Sequence, residues 1–127
     1  MRVLLDTNVL LRTLAGDPSI EGMRDILLAE ETEVFVSAVS WWDIAARIEV
    51  GLLRADLKEL REAAAESGFI ELPLRGEHVG ALAPLPASGL KNTSFALMIA
   101  AQAESEPMRL ISADARLAGR PFLFLRA

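Results

Sequence analysis

The chain has 127 residues, 52% of them hydrophobic, and its 13 Lys and Arg against 18 Asp and Glu give a net charge of −5. That length fits one domain spanning residues 1–127 rather than two independent cores. Cysteine is absent, which excludes disulfides, thiolate metal sites and cysteine nucleophiles and makes the cytoplasm the expected compartment.

Charged residues break every apolar run well short of the roughly 20 residues that a membrane-spanning helix needs, so no membrane association is expected. The negative charge opposes long-range attraction to a phosphate backbone. A nucleic-acid ligand would therefore need a local basic surface, for which Arg12, Arg47, Arg54, Lys91 and Arg116 are the candidates.

Short apolar runs rich in branched residues alternate with stretches of helical period, the pattern of βα units around a mainly parallel sheet. A three-layer α/β/α architecture with about five strands is expected. The first strand covers residues 3–5 and runs into Asp6-Thr7-Asn8, ahead of a helix over 8–14. A second helix is predicted over 20–29 and a second strand over 33–36.

In the helix predicted over 40–50, Trp41, Ile44, Ala45 and Ile48 recur at three and four residues and mark one buried face. Asp43 lies beside that stripe. Ser37 and Ser40 are both candidate N-caps, and Asp43 stands where a capping-box partner of Ser40 would be. Trp41 and Trp42 read as packing residues, although an exposed indole could also stack on a base.

Downstream, a helix over 57–66, a strand over 69–72 and a helix over 76–82 follow. His78 on the flank of that last helix reads as a surface or half-buried residue rather than a catalytic base. The Pro/Gly/Ser-rich stretch 83–90 is a loop, leading to a helix over 94–103 and strands over 108–111 and 122–125. Asp114 reads as the cap of a short helix over 115–118.

In open α/β sheets ligands bind beyond the carboxyl ends of the strands, which singles out Asp6, directly after the first strand, and Asp114, three residues after Ile111. Asp43, near the start of the helix that follows the second strand, is expected at the same end. Three converging carboxylates repel one another unless a hard divalent cation neutralises them. Oxygen-only ligation fits magnesium, or manganese, and a lone histidine gives little reason to expect zinc. Such an ion supports hydrolysis of a phosphodiester. With no cysteine, one histidine and no Gly-x-Ser-x-Gly elbow, a hydrolase triad cannot be assembled, and neither common Gly-rich phosphate loop is present.

Leu4-Leu5-Asp6-Thr7-Asn8-Val9-Leu10-Leu11 resembles the opening of PIN domains, and Val36-Ser37-Ala38-Val39-Ser40-Trp41-Trp42-Asp43-Ile44-Ala45 resembles their second motif in VapC toxins. Gly51-Leu52-Leu53, Gly68 to Leu74, Ile99 to Ala103 and Leu110-Ile111-Ser112-Ala113-Asp114 follow in the order that family uses. The resemblance implies a magnesium-dependent endoribonuclease, usually dimeric, that acts on structured RNA. It further implies the toxin of a type II toxin–antitoxin pair, held inactive by a VapB-like antitoxin. By the same resemblance Asp6, Asp43 and Asp114 are the catalytic acids and Asp6 and Asp114 the metal ligands.

Two departures weaken the expected site. Asp43 stands where VapC proteins usually carry Glu, one carbon–carbon bond or roughly 1.5 Å shorter. The family's Asp-Pro-Phe-Asp is here Thr93-Ser94-Phe95-Ala96, in which Thr93 still offers a capping oxygen but Ala96 removes an acid expected to face the metal. The expectation is an attenuated ribonuclease. The alternative is a catalytically inactive PIN-fold module that pairs with an antitoxin or a second copy. A third reading, a phosphatase-like domain using Asp6 as nucleophile, is disfavoured because the residue two further on is Asn8. A homodimer is expected from the apolar surface carrying Trp41 or Trp42, Leu52 and Leu53.

Overall fold

In the computed structural model, which describes residues 1–82, 94–114, 117 and 124–126, five strands form one sheet in the order β3-β2-β1-β4-β5. The strands are β1 (Arg2–Leu5), β2 (Glu33–Ser37), β3 (Ile70–Leu72), β4 (Arg109–Ser112) and β5 (Phe124–Arg126). Every pairing is parallel, and β1 lies between β2 and β4 with Leu5 level with Val36 and Ile111. Parallel strands need crossover helices, which cover both faces and leave the strands apolar on both sides. Val3 and Leu5 accordingly pack into one core with Val9, Leu10, Val36, Trp41 and Ile44. Leu4 points the other way, into a core with Leu97, Ala100, Ala101 and Leu110.

The helices are α1 (Thr7–Leu14), α2 (Arg24–Leu28), α3 (Ala38–Glu49), α4 (Leu57–Glu66), α5 (Gly76–Gly80) and α6 (Phe95–Ser105), with a 3-10 helix over Pro18–Met23. The single helix predicted over 20–29 is thus two pieces. Asp17 accepts from the Ser19 amide and Pro18 sits in the first turn, so a tight start is capped before the chain relaxes into α2. The helix predicted over 40–50 begins earlier, because Ser37 Oγ accepts from Val39 N at 2.9 Å and is the actual cap. Ser40 therefore lies inside α3, and Asp43 has no capping role there.

Both α3 and α4 end in the six-to-one bonding of a glycine-terminated helix. Gly51 at φ 78 lets Leu52 N reach Arg47 O at 2.8 Å, and Gly68 at φ 82 lets Phe69 N reach Ala64 O at 3.0 Å. A side chain would be strained at either position. The loop expected over 83–90, Lys91, Thr93 and Arg116 lie outside the described residues, as does most of the helix expected over 115–118. Among the described residues no helix is long and apolar enough to cross a membrane.

Candidate active site

In an open parallel sheet the crevice forms where the strand order reverses, and here that point is the β1–β4 seam. Asp6 lies at its mouth. Its amide continues the ladder by donating to Ile111 O at 3.1 Å, while its Oδ1 accepts from Val9 N at 2.8 Å and caps α1. Oδ2 accepts from Ser112 Oγ at the end of β4. Asp6 is thus the N-cap of α1, a role that occupies only one of its carboxylate oxygens.

Ser112 also joins the second acid. Its Oγ accepts from Asp114 N at 3.0 Å, so one hydroxyl links the Asp6 carboxylate to the backbone that carries Asp114. Asp114 O accepts from Leu117 N at 3.0 Å. The Asp6 pKa is raised, first by burial; bonds from Ser112 and Val9 lower it, the Asp114 charge raises it, and Arg12 lowers it. Asp6 is only 7% exposed. A buried carboxylate held beside a second one at a sheet's carboxyl edge has the electrostatics of a cation site.

Asp43 reaches the same end of the sheet by a different route. It is buried on α3, and both of its oxygens are taken by Arg47, from Nε to Oδ1 at 2.9 Å and from Nη2 to Oδ2 at 3.1 Å. Arg47 Nη1 donates to Asn8 Oδ1 at 2.8 Å, which ties α3 to α1 two residues beyond Asp6. Thr7 Oγ1 donates to Ser40 Oγ at 3.2 Å and makes a second tie between the same helices.

The structure therefore joins Asp6 and Asp114 through Ser112, and joins Asp43 to the α1 start through Arg47 and Asn8. Sequence reasoning passed over Ser112, Asn8 and the Arg47 clamp. The four-residue spacing of Asp43 and Arg47 on one helix was a readable signal for the last of these.

Ala96 lies in the first turn of α6, half-buried against the Leu4 core. The cap of α6 is Ser94, whose Oγ accepts from Leu97 N at 3.3 Å, so the helix start does not depend on Thr93. Phe95 meets Trp42 edge-on at 4.9 Å, which brings the start of α6 against α3 beside Asp43. Of the two tryptophans, Trp41 is core and Trp42 is 62% exposed.

His78 is fully buried, neither a surface nor a half-buried residue. Its Nδ1 accepts from Arg75 N at 3.0 Å, which leaves Nε2 as the donor to Glu106 Oε2 at 2.6 Å. Glu77, His78 and Glu106 bring three ligand atoms within 4.8 Å of one another, and among the described residues no other His, Asp or Glu group does so. Both ring nitrogens of His78 are already committed, so His78 and Glu106 form a hydrogen-bonded brace, with Glu77 exposed beside it. A cavity of about 350 Å³ between α1, α2 and the start of β3 is lined by Arg12, Ile20, Arg24, Leu27 and Phe69 and contains none of the three aspartates.

The acid pair lies at the strand-order switch, where open parallel α/β sheets bind their ligands. The family model described as PIN domain matches residues 3–123. The chain belongs to the PIN domain family.

Solved structures share the fold. VapBC2 from Rickettsia felis, bound to a DNA fragment from its promoter, is similar at TM-score 0.74 and 15% identity over 99% of this chain and 98% of that one. VapBC-1 from nontypeable Haemophilus influenzae is similar at TM-score 0.67 and 18% identity, over 99% and 98%. A toxin–antitoxin complex from Klebsiella pneumoniae is similar at TM-score 0.62 and 19% identity, over 94% and 92%. Among curated proteins, none matches the sequence.

Proposed function

We propose that this chain is one PIN domain acting as a metal-dependent endoribonuclease of the VapC kind, the toxin of a type II toxin–antitoxin pair, with attenuated activity. The observation that carries this reading is the Asp6–Asp114 pair bridged by Ser112 at the strand-order switch. The donor set is all oxygen, and Asp6 is buried beside a like charge, which fits magnesium or manganese held by Asp6 and Asp114. The ion would lower the pKa of a bound water and stabilise charge on a phosphodiester oxygen. The chain's own part is to hold that pair rigidly, by the Val9 amide and the Ser112 hydroxyl, with Asp43 as the third acid of the site.

Membership in the PIN family and the likeness to toxin–antitoxin complexes support an RNA substrate, a VapB-like antitoxin partner and a cytoplasmic site of action. A homodimer is supported by the exposed apolar residues Trp42 on α3, Val50 at its C-cap and Leu52 in the turn that follows. Trp41 and Leu53, by contrast, pack inward.

A second reading is an inactive PIN-fold module that pairs with an antitoxin. It is favoured by Ala96, which places a methyl group where the family carries an acid. The deciding experiment combines magnesium affinity by calorimetry with cleavage of total RNA, with and without chelator. Weak magnesium binding with slow, chelator-sensitive cleavage supports the attenuated enzyme. Antitoxin binding without any magnesium affinity or cleavage supports the module.

A further inference from the structure

Arg47 is held more firmly than a surface cation needs to be. Its side chain is 30% exposed, and it sits one turn beyond Asp43 on α3, where an Asp followed four residues later by Arg also suits the helix dipole. Asp43 grips it through two parallel bonds and Asn8 through a third. A guanidinium has five N–H donors in one plane. Three are used here, so one on Nη1 and one on Nη2 stay open on the accessible side chain.

Two open donors on a guanidinium already fixed in place suit the non-bridging oxygens of a phosphodiester, a ligand that planar Arg binds better than Lys. The chain's net charge of −5 makes such a local cation the more necessary for an RNA ligand. The bidentate pair also bears on Asp43, both of whose oxygens are already committed to N–H donors. The grip aims the Asp43 carboxylate at the guanidinium on its own helix.

We propose that Arg47 is a fixed phosphate-binding residue for RNA at this site, and that Asp43 and Asn8 are the positioning residues that hold it. This assignment rests on the RNA reading above. It divides the three acids by function: Asp6 and Asp114 face the cation, and Asp43 faces the guanidinium. The preorganised fork costs little side-chain entropy on binding, because Arg47 is already immobilised before the ligand arrives.

The test is fluorescence anisotropy of a labelled single-stranded RNA, in chelator and over a range of salt, with manganese affinity measured separately by electron paramagnetic resonance. Arg47→Ala should weaken RNA binding about tenfold or more and lower the slope of log affinity against log salt by about 0.7, the value for one phosphate contact on a single strand. Arg47→Lys should restore the slope but not the affinity, since an ammonium cannot make the fork. Asn8→Ala, at an exposed position, and Asp43→Asn should each weaken RNA binding severalfold, and Asn8→Ala should leave manganese affinity within about threefold of the parent. Lys58→Ala, on the exposed face of α4, should change RNA affinity less than twofold.

Arg47→Ala binding RNA like the parent, with the full salt slope, overturns the assignment alone. So does Asp43→Asn losing manganese affinity more than tenfold with RNA binding intact, which would make Asp43 a metal ligand. A parent chain that binds no RNA with or without magnesium overturns the RNA reading and this assignment together. Should Arg47→Ala fail to fold, Arg47→Lys and Asn8→Ala carry the same comparison.

Discussion

Ser112 and Asp6, 106 residues apart in sequence, are joined across the β1–β4 seam by a hydrogen bond from the serine hydroxyl to the buried carboxylate. The same hydroxyl accepts from the Asp114 amide, so it sets the spacing of the two acids as well as the orientation of one. Ser112→Ala removes a bond that lowers the Asp6 pKa and leaves the Asp114 amide without that acceptor. Residues that orient metal-binding carboxylates typically govern affinity by 10–100-fold. Magnesium affinity of Ser112→Ala, by calorimetry, should therefore fall by about tenfold while far-ultraviolet dichroism stays unchanged. Undiminished affinity would show that the bridge is packing only.

The raised pKa of Asp6 predicts a pH dependence of stability in the metal-free protein. Burial is the largest cause, so the folded state favours the protonated carboxyl. The contribution of this group is fully present below the ordinary carboxylate value and is lost as pH rises through the raised value. Asp6→Asn keeps an acceptor for Val9 N and abolishes the buried charge. In chelator near neutral pH the variant should melt a few degrees higher than the parent, and the difference should vanish in strong acid, where both side chains are neutral. A variant that melts lower at neutral pH would mean that the hydrogen bonds to the charged form outweigh burial.

The apolar surface predicts association. Trp42, Val50 and Leu52 are 62%, 68% and 79% exposed, large side chains on the first half of α3, at its C-cap and in the turn that follows it. Sedimentation at tens of micromolar should report a dimer, and Leu52→Asp should shift it towards monomer without lowering the melting temperature by more than about a degree, since a side chain this exposed contributes little to the core. A parent chain that sediments as a monomer would remove the dimer from the proposal.

Strands and helices were legible where the signal is local. Continuous apolar runs such as Val3-Leu4-Leu5 suit strands covered on both faces, and the helix over Leu57–Glu66 has the bounds expected for it. Asp6 and Asp114 were legible in their placement alone, because an acid just after a strand lies at the sheet's carboxyl edge.

What was not legible depends on partners distant in sequence. His78 was misread because its burial rests on Glu106, 28 residues away, and on an acceptor role towards its own helix start. Ser37 serves as cap of α3 while donating to Gln102 Oε1 from α6, a pairing across 65 residues that no local pattern contains. Arg47 was visible as a cation, and its partner Asp43 by spacing. Asn8, 39 residues upstream, required the fold.

Position 96 offers the sharpest test of the attenuated site. Ala96 occupies the first turn of α6, capped by Ser94 and set beside α3 by the Phe95–Trp42 contact. An acid in a first helical turn gains roughly 0.3–1 kcal/mol from the helix dipole, so Ala96→Asp should not cost the fold, although part of its side chain must leave the Leu4 core for the crevice. Restoring one unit of negative charge to a small oxygen site strengthens a divalent cation's binding and sheds some of its water. Magnesium affinity should rise. If the restored carboxylate also orients the attacking water, cleavage of RNA should rise by about 10²–10⁴-fold, the usual value of a general base. Asp6→Asn in the Ala96→Asp background should abolish both gains, because the added acid cannot hold the ion alone. Should the chain as it stands cleave RNA vigorously and Ala96→Asp change neither affinity nor rate, the missing ligand comes from elsewhere, with Asn92, Thr93 and Ser94 the nearest oxygen donors in the sequence.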